Sequence, residues 1–181
     1  DISQALKTLD FINEVHVVSV NNECKELLLL KSDARIEEDI VFHCINMINN
    51  GYVDKYIFSH STENMATISC ADSIRAYLYE PNASVLKAGA FKILSIDFGV
   101  EKLHINSHLY TSDSYLKEFP GRKFKVKEVI PFKKKEIKDK LSMFQKANIT
   151  TRNFPLSVDE IRRKLKIKEG GENYIFATTM Y

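Results

Sequence analysis

The sequence predicts an α+β protein built from more than one module, and three observations carry that expectation. Apolar runs in roughly the first sixty residues read as antiparallel strands around short Asn-containing breaks. One long amphipathic stretch is bracketed by Pro81 and Gly99. The final sixty or so residues alternate strand-like and helix-like patterns in the order βαβαβ, which argues for a compact open sheet with helices.

Taken in order, Ile2, Ala5, Leu6 and Leu9 recur at the spacing of one helix face, with Asp1 or Ser3 available as a cap. Val15–Val20 (VHVVSV) is a β-branched run too short for a helix. Asn21-Asn22-Glu23 breaks it and Lys25–Lys31 (KELLLLK) follows, so the pair reads as a hairpin. Both strands are apolar on nearly every position, the pattern of strands covered on both faces. Ser32–Asp39 is a polar, acidic loop. Val41–Asn49 and Asp54–His60 flank Asn50-Gly51, the strongest hairpin-turn signal in the chain. Residues 63–76 suggest a strand near Ala66–Cys70 and then a short helical stretch.

The bracketed stretch predicts a helix over 82–98. Asn82 caps it, Val85, Leu86, Gly89, Ala90, Ile93, Leu94 and Phe98 form its buried side, and Gly99 takes the left-handed position at its end. Lys123–Ile130 begins with period-2 alternation that puts lysines on one face, until Pro131-Phe132 ends it. A helix over Lys133–Phe144 and a strand over Asn148–Thr151 follow. Ser157 with Glu160 three residues later is a capping box that opens another helix. Gly170-Gly171 marks a turn, and Tyr174–Thr179 is the last strand.

Composition narrows the class. A hydrophobic share of 44% supports a real core. There is no run of about 18 apolar residues, so no membrane span is expected. The start has neither a basic nor an apolar signal region and no initiator Met, so the chain reads as part of a longer one. Cys24, Cys44 and Cys70 are too scattered for a disulfide framework or a structural zinc site; each reads as a small buried apolar residue, in a cytoplasmic protein. The net charge of +2 hides an asymmetry: residues 1–80 carry 6 Lys/Arg against 13 Asp/Glu, residues 81–181 carry 20 against 11. A basic half points to an anionic partner or to a lysine-rich solvated surface.

No catalytic motif is complete. Phosphate-binding glycine loops, zinc-protease helices and nucleophile elbows are all missing, so no catalytic, cofactor-binding or metal-binding residue is assigned. His104 and His108 stand four apart, but Asn106-Ser107 between them favours a loop or strand over a helical metal pair; packing, hydrogen bonding and substrate contact remain open. Glu80 precedes a helix start and suits its positive end. Lys133, Lys134 and Lys135 sit where a helix begins and oppose its macrodipole, an arrangement that a bound anion would relieve. Arg122, Lys123, Lys125 and Lys127 extend a basic stripe along a strand. Arg152 and Asn153 place a guanidinium and an amide beside Phe154, a combination suited to phosphate and base contact, although Phe154 also reads as an anchor for its loop.

YLYEPNASVLKAGAFK (77–92), LHINSHLYTSD (103–113), FPGRKFKVKEVIPFKKKEIK (119–138) and TRNFPLSVDEIRRKLKIKEGGENYIFATT (151–179) together resemble a known family. They are similar to the C-terminal part of bacterial, Bacteroidetes-type class I S-adenosylmethionine-dependent methyltransferases that end in a THUMP-like domain. The resemblance implies that residues 1–76 are the truncated end of a Rossmann-like methyltransferase domain with added antiparallel strands. It implies a ferredoxin-like segment over 77–118 and a THUMP-like domain over 119–181. The cofactor, S-adenosylmethionine, is then expected for the full-length protein and not for this chain. The implied partners are the methyltransferase domain of the same polypeptide and structured RNA, either tRNA or rRNA, with Arg122, Lys125, Lys127, Lys133, Lys134, Lys135, Arg152 and Asn153 as its contacts. The other reading is a structural or oligomerisation module that never touches nucleic acid. One continuous basic face joining Arg122, Lys125, Lys127, Lys133, Lys134, Lys135 and Arg152 would favour RNA, and dispersed lysines would favour the structural reading.

Overall fold

Helix α1 (Ile2–Thr8) leads into β1 (Ile12–Val20), which turns through Asn21 and Asn22 into β2 (Glu23–Lys31). Both asparagines have positive φ, 49° and 65°, and a succession of left-handed residues is what a tight hairpin turn demands. β3 (Val41–Met47) lies parallel to β1 on its other side, and β4 (Val53–Ser59) returns antiparallel to β3. The order is β2-β1-β3-β4. The computed structural model describes residues 2–33, 39–49, 51–141 and 143–180. Most of the expected loop over Ser32–Asp39, and Asn50 of the expected turn, lie outside them.

Alternation places Val15, Val17, Phe42, Cys44, Tyr56 and Phe58 on one face of this sheet, where all are buried. Each valine so buried contributes about 1.5–3 kcal/mol. The expected cover on both faces of the hairpin is not found. Leu27, Leu28 and Leu30 are 37%, 50% and 42% exposed, because β2 is an edge strand and the core reaches only Leu29. The cysteines diverge too. Cys44 is buried, and burial pushes its thiol up to about 12, but Cys24 lies exposed on the edge strand.

The short helix expected after Cys70 lies earlier in the chain. α2 (His60–Met65) starts at Ser59, where Ser59 and Thr62 form a reciprocal cap. Beyond it, Cys70 makes only an isolated bridge to Lys102, and 71–76 is irregular. β5 (Tyr77–Pro81) follows. The single helix expected over 82–98 is two, α3 (Ala83–Ala88) and α4 (Ile93–Phe98). Gly89 is the reason: at φ 85° it closes α3 as a left-handed cap, its N–H bonded to the Val85 carbonyl. Asn82 caps α3 as expected, accepting from the Val85 N–H at 3.2 Å, and Gly99 ends α4 at φ 59°. The Glu63 carboxylate on α2 accepts the N–H groups of Lys92 and Ile93 at the start of α4, which fastens the first unit to the second.

β6 (Glu101–Lys102), β7 (Tyr110–Ser112) and β8 (Gly121–Lys125) join β5 in a second sheet ordered β6-β7-β5-β8. Next come α5 (Lys134–Leu141), β9 (Asn148–Arg152), α6 (Val158–Leu165) and β10 (Tyr174–Thr178), with β9 and β10 parallel. The Ser157–Glu160 capping box is present. The βαβαβ order is therefore observed, but not as one sheet. β8 pairs antiparallel with β5, and the strand expected to run to Ile130 stops at Lys125. A small core of Ala147, Ile149, Ile161 and Ile167 serves the last unit, and Leu78, Leu103 and Leu109 meet Phe124, Phe176 and Met180 across the junction. Among the described residues no helix is long and apolar enough to cross a membrane.

Candidate nucleic-acid interface

β5, β8 and β9 converge on one carboxylate. Glu80 stands opposite Arg122 in the β5–β8 register, and its side chain is 3% exposed. Arg122 donates to its Oε2 through Nε at 2.9 Å and through Nη2 as well. Arg152, at the end of β9, brings Nη2 within 2.6 Å of Oε1. Two guanidinium groups thus share one buried carboxylate and leave a net positive charge at the surface. Arg122 also lies over the rings of Phe124 and Tyr174, 5.4 and 5.5 Å from their centroids. Glu80 was expected to serve the helix start behind it; the arginines take it instead.

Beside this cluster, Asn153 adopts φ 51° and its Nδ2 lies 3.0 Å from His104 Nδ1. The same nitrogen accepts the Asn106 N–H, so the ring carries its proton on Nε2. His108 is separate from His104. It stacks on Phe91, with centroids 3.9 Å apart, and its Nδ1 faces the Lys102 ammonium at 3.4 Å. Lys102 is buried, gives a hydrogen bond to the Ile105 carbonyl and lies over Phe91 and Tyr110. Burial lowers its pKa. The two histidines therefore do packing and hydrogen-bonding work.

Burial, with Lys102 and Arg152 nearby, pulls His108 from 6.5 down to about 4. The unfolded chain takes up that proton near the ordinary value and the folded one resists it. The stability is thus full above about pH 7 and is lost as pH falls through 6.5 towards 4. About 2 kcal/mol is at stake for this partly exposed ring. Asn tolerates positive φ, and His108 sits at φ 41°, so His108→Asn is the suitable probe. Urea unfolding at pH 7, 5 and 4 is expected to show a flatter profile in the variant; parallel profiles would refute the assignment.

The remaining sequence-selected residues do not gather on Glu80. Lys125 is exposed at the end of β8, opposite Tyr77. Lys127 donates to the Asn173 side chain at 3.0 Å. Lys133, Lys134 and Lys135 are exposed at the start of α5, with Lys133 3.8 Å from Glu136. A further basic group lies outside the residues that the sequence singles out. Arg162, Arg163, Lys166 and Lys168 line a shallow concavity with Asp159 and Ile167, along α6 and just beyond its C-terminus. Its signal was present as the run RRKLKIK, and cations at a helix C-terminus are favoured by the dipole with or without a ligand.

The comparisons with known proteins divide the chain at this junction. Residues 77–120 match the family described as a ferredoxin-like domain. Residues 121–181 match the family described as THUMP domain-like. The charge asymmetry then localises fully: the THUMP domain-like residues 121–181 carry 16 Lys/Arg against 7 Asp/Glu, a net +9. Among solved structures, the chain is similar to a crystal structure of a "putative methyltransferase" from Porphyromonas gingivalis W83, with 42% identity, a TM-score of 0.91 and 99% of this chain covered. The chain spans 45% of that protein's length. No curated protein matches it.

Proposed function

We propose that the chain is the C-terminal, substrate-positioning part of a class I S-adenosylmethionine-dependent methyltransferase of the Bacteroidetes type. Residues 121–181 hold structured RNA, tRNA or rRNA, for the methyltransferase domain of the same cytoplasmic polypeptide. The observation that carries this reading is the net +9 concentrated in the THUMP domain-like residues. Phosphate contacts position a nucleic acid and supply affinity without reading bases. Residues 1–76 are the closing end of a Rossmann-like domain, a reading supported by the α1–β1–β2 arrangement and by an edge strand whose leucines lie open. With no glycine-rich cofactor loop in the sequence, no residue here is assigned to S-adenosylmethionine and the chain is not catalytic by itself.

Binding of tRNA and rRNA fragments across salt tests the proposal. The logarithm of affinity is expected to fall linearly with that of salt, with a slope of about −0.7 to −0.9 per phosphate contacted. Lys133→Glu, Lys134→Glu and Lys135→Glu together are expected to weaken binding about tenfold or more and to shallow that slope. Affinity flat between low and high salt would remove RNA from the account. The structural alternative draws on Arg122 and Arg152, which are engaged by Glu80. Unchanged methyl transfer by the full-length enzyme after the triple reversal would favour it.

A further inference from the structure

The face of the first sheet turned away from the core carries a second, unrelated constellation. Glu14 and His16 are two residues apart on β1 and so project on the same side. His43 stands directly opposite His16 in the parallel β1–β3 register. The two imidazoles stack with centroids 4.3 Å apart and planes within 7°. Both direct Nε2 at the same oxygen: His16 Nε2 lies 2.8 Å and His43 Nε2 3.5 Å from Glu14 Oε2. The three ligand atoms all lie within 4.8 Å of one another.

We propose that Glu14, His16 and His43 bind a divalent transition-metal ion of the zinc class through two imidazole nitrogens and one carboxylate oxygen. Two histidines with one carboxylate are a donor set that suits zinc and its first-row neighbours and that magnesium and calcium do not favour. The side chains of His16, His43 and Glu14 are 23%, 26% and 37% exposed, open enough for an ion to enter and shielded enough to limit competing water. The donors stand on adjacent strands inside a four-stranded sheet, so the backbone that carries them is already ordered. Closing the shell at metal–nitrogen distances of about 2.0–2.1 Å asks for rotation of the two rings about their side-chain torsions. The surroundings are apolar: Leu30 lies across from Glu14, Leu28 from His16 and Ile57 from His43, each on the same face. Three protein ligands leave a fourth position to water or to an incoming ligand. Without a metal the same atoms form a histidine–carboxylate hydrogen bond beside a stacked ring, and the experiment has to separate these two roles.

The purified full chain is titrated with Zn²⁺, with Mg²⁺ as control, and with Co²⁺ for its visible spectrum. One Zn²⁺ per chain is expected at micromolar affinity or tighter. At a hundredfold excess over the dissociation constant the thermal midpoint is expected to rise by about 5–10 °C, with no response to Mg²⁺. Glu14→Gln, His16→Gln and His43→Gln are each expected to weaken zinc binding at least tenfold. Unfolding without metal shows whether each variant is folded, and the Co²⁺ spectrum of the parent chain reports imidazole and carboxylate ligation independently of any variant. Zinc binding weaker than about millimolar would overturn the proposal. So would a zinc response that survives all three variants and disappears in Cys24→Ser, which would assign the ion to the exposed thiol.

Discussion

Replacing both Arg122 and Arg152 by methionine is expected to cost about 3–5 kcal/mol of stability, and adding Glu80→Gln to that double variant is expected to return part of it. The asymmetry lies in burial. The Glu80 side chain is 3% exposed, while those of Arg122 and Arg152 are 38% and 39% exposed. Take away the carboxylate and both guanidinium groups still reach water. Take away the guanidinium groups and a carboxylate stays in a low-dielectric site with no counter-charge. Methionine keeps the apolar stem that packs beneath each guanidinium, so charge is the main thing removed. Glu80→Gln alone is then expected to cost less than the double arginine change, about 1–2 kcal/mol. Denaturant unfolding of the parent, single, double and triple variants gives the coupling directly. A triple variant less stable than the double would show that the carboxylate is not the source of the penalty.

Gly121→Ala is the second large effect. Gly121 does not need a left-handed backbone; it needs the absence of a side chain. A Cβ there would stand 2.8 Å from Pro81 Cα and 2.9 Å from the Asn82 nitrogen, and closer still to the Glu80 carbonyl oxygen. All three are backbone atoms of the strand that pairs with it or of the helix cap that follows. No rotamer relieves such a clash, so β5 and β8 must separate where Asn82 N–H meets the Pro120 carbonyl at 3.0 Å. A loss of about 3 kcal/mol is expected, the upper end for an overpacked site. Thermal unfolding measures it. A variant within 0.5 kcal/mol or so of the parent would mean that the strands part at little cost.

Local signals in the sequence translated well into structure. The Ser157–Glu160 box, the Asn82 cap and the Gly99 terminus depend only on neighbours within one turn, and all three are present. Both hairpins follow from apolar runs and their Asn-rich breaks. The failures are non-local. Nothing near Lys123 tells β8 to pair with β5 and leave β9 and β10 to each other, because strand partners are chosen by packing across the chain. Gly89 fitted the helical period as a small buried residue, and only its φ of 85° reveals a terminus. Glu80 carried an adequate local explanation, and its real partners are 42 and 72 positions away. Of the candidate contact residues, Arg122 and Arg152 proved to share one carboxylate, a convergence that requires three strands to be in place. His16 and His43 carry no joint signal in the sequence, since 27 positions separate them and only the parallel β1–β3 register brings them together.

The placement of β8 has a consequence for how this architecture can be recombined. By sequence similarity a boundary falls between residues 120 and 121, yet the first five residues beyond it complete the sheet of the preceding segment. Cutting there would strip β5 of a partner along its outer edge and leave β8 as an orphan strand. The matched sequence module is therefore not an interchangeable part. Grafting residues 121–181 onto another enzyme would also require a recipient strand with a Pro-Asn step to admit Gly121 and a buried acid to receive two arginines.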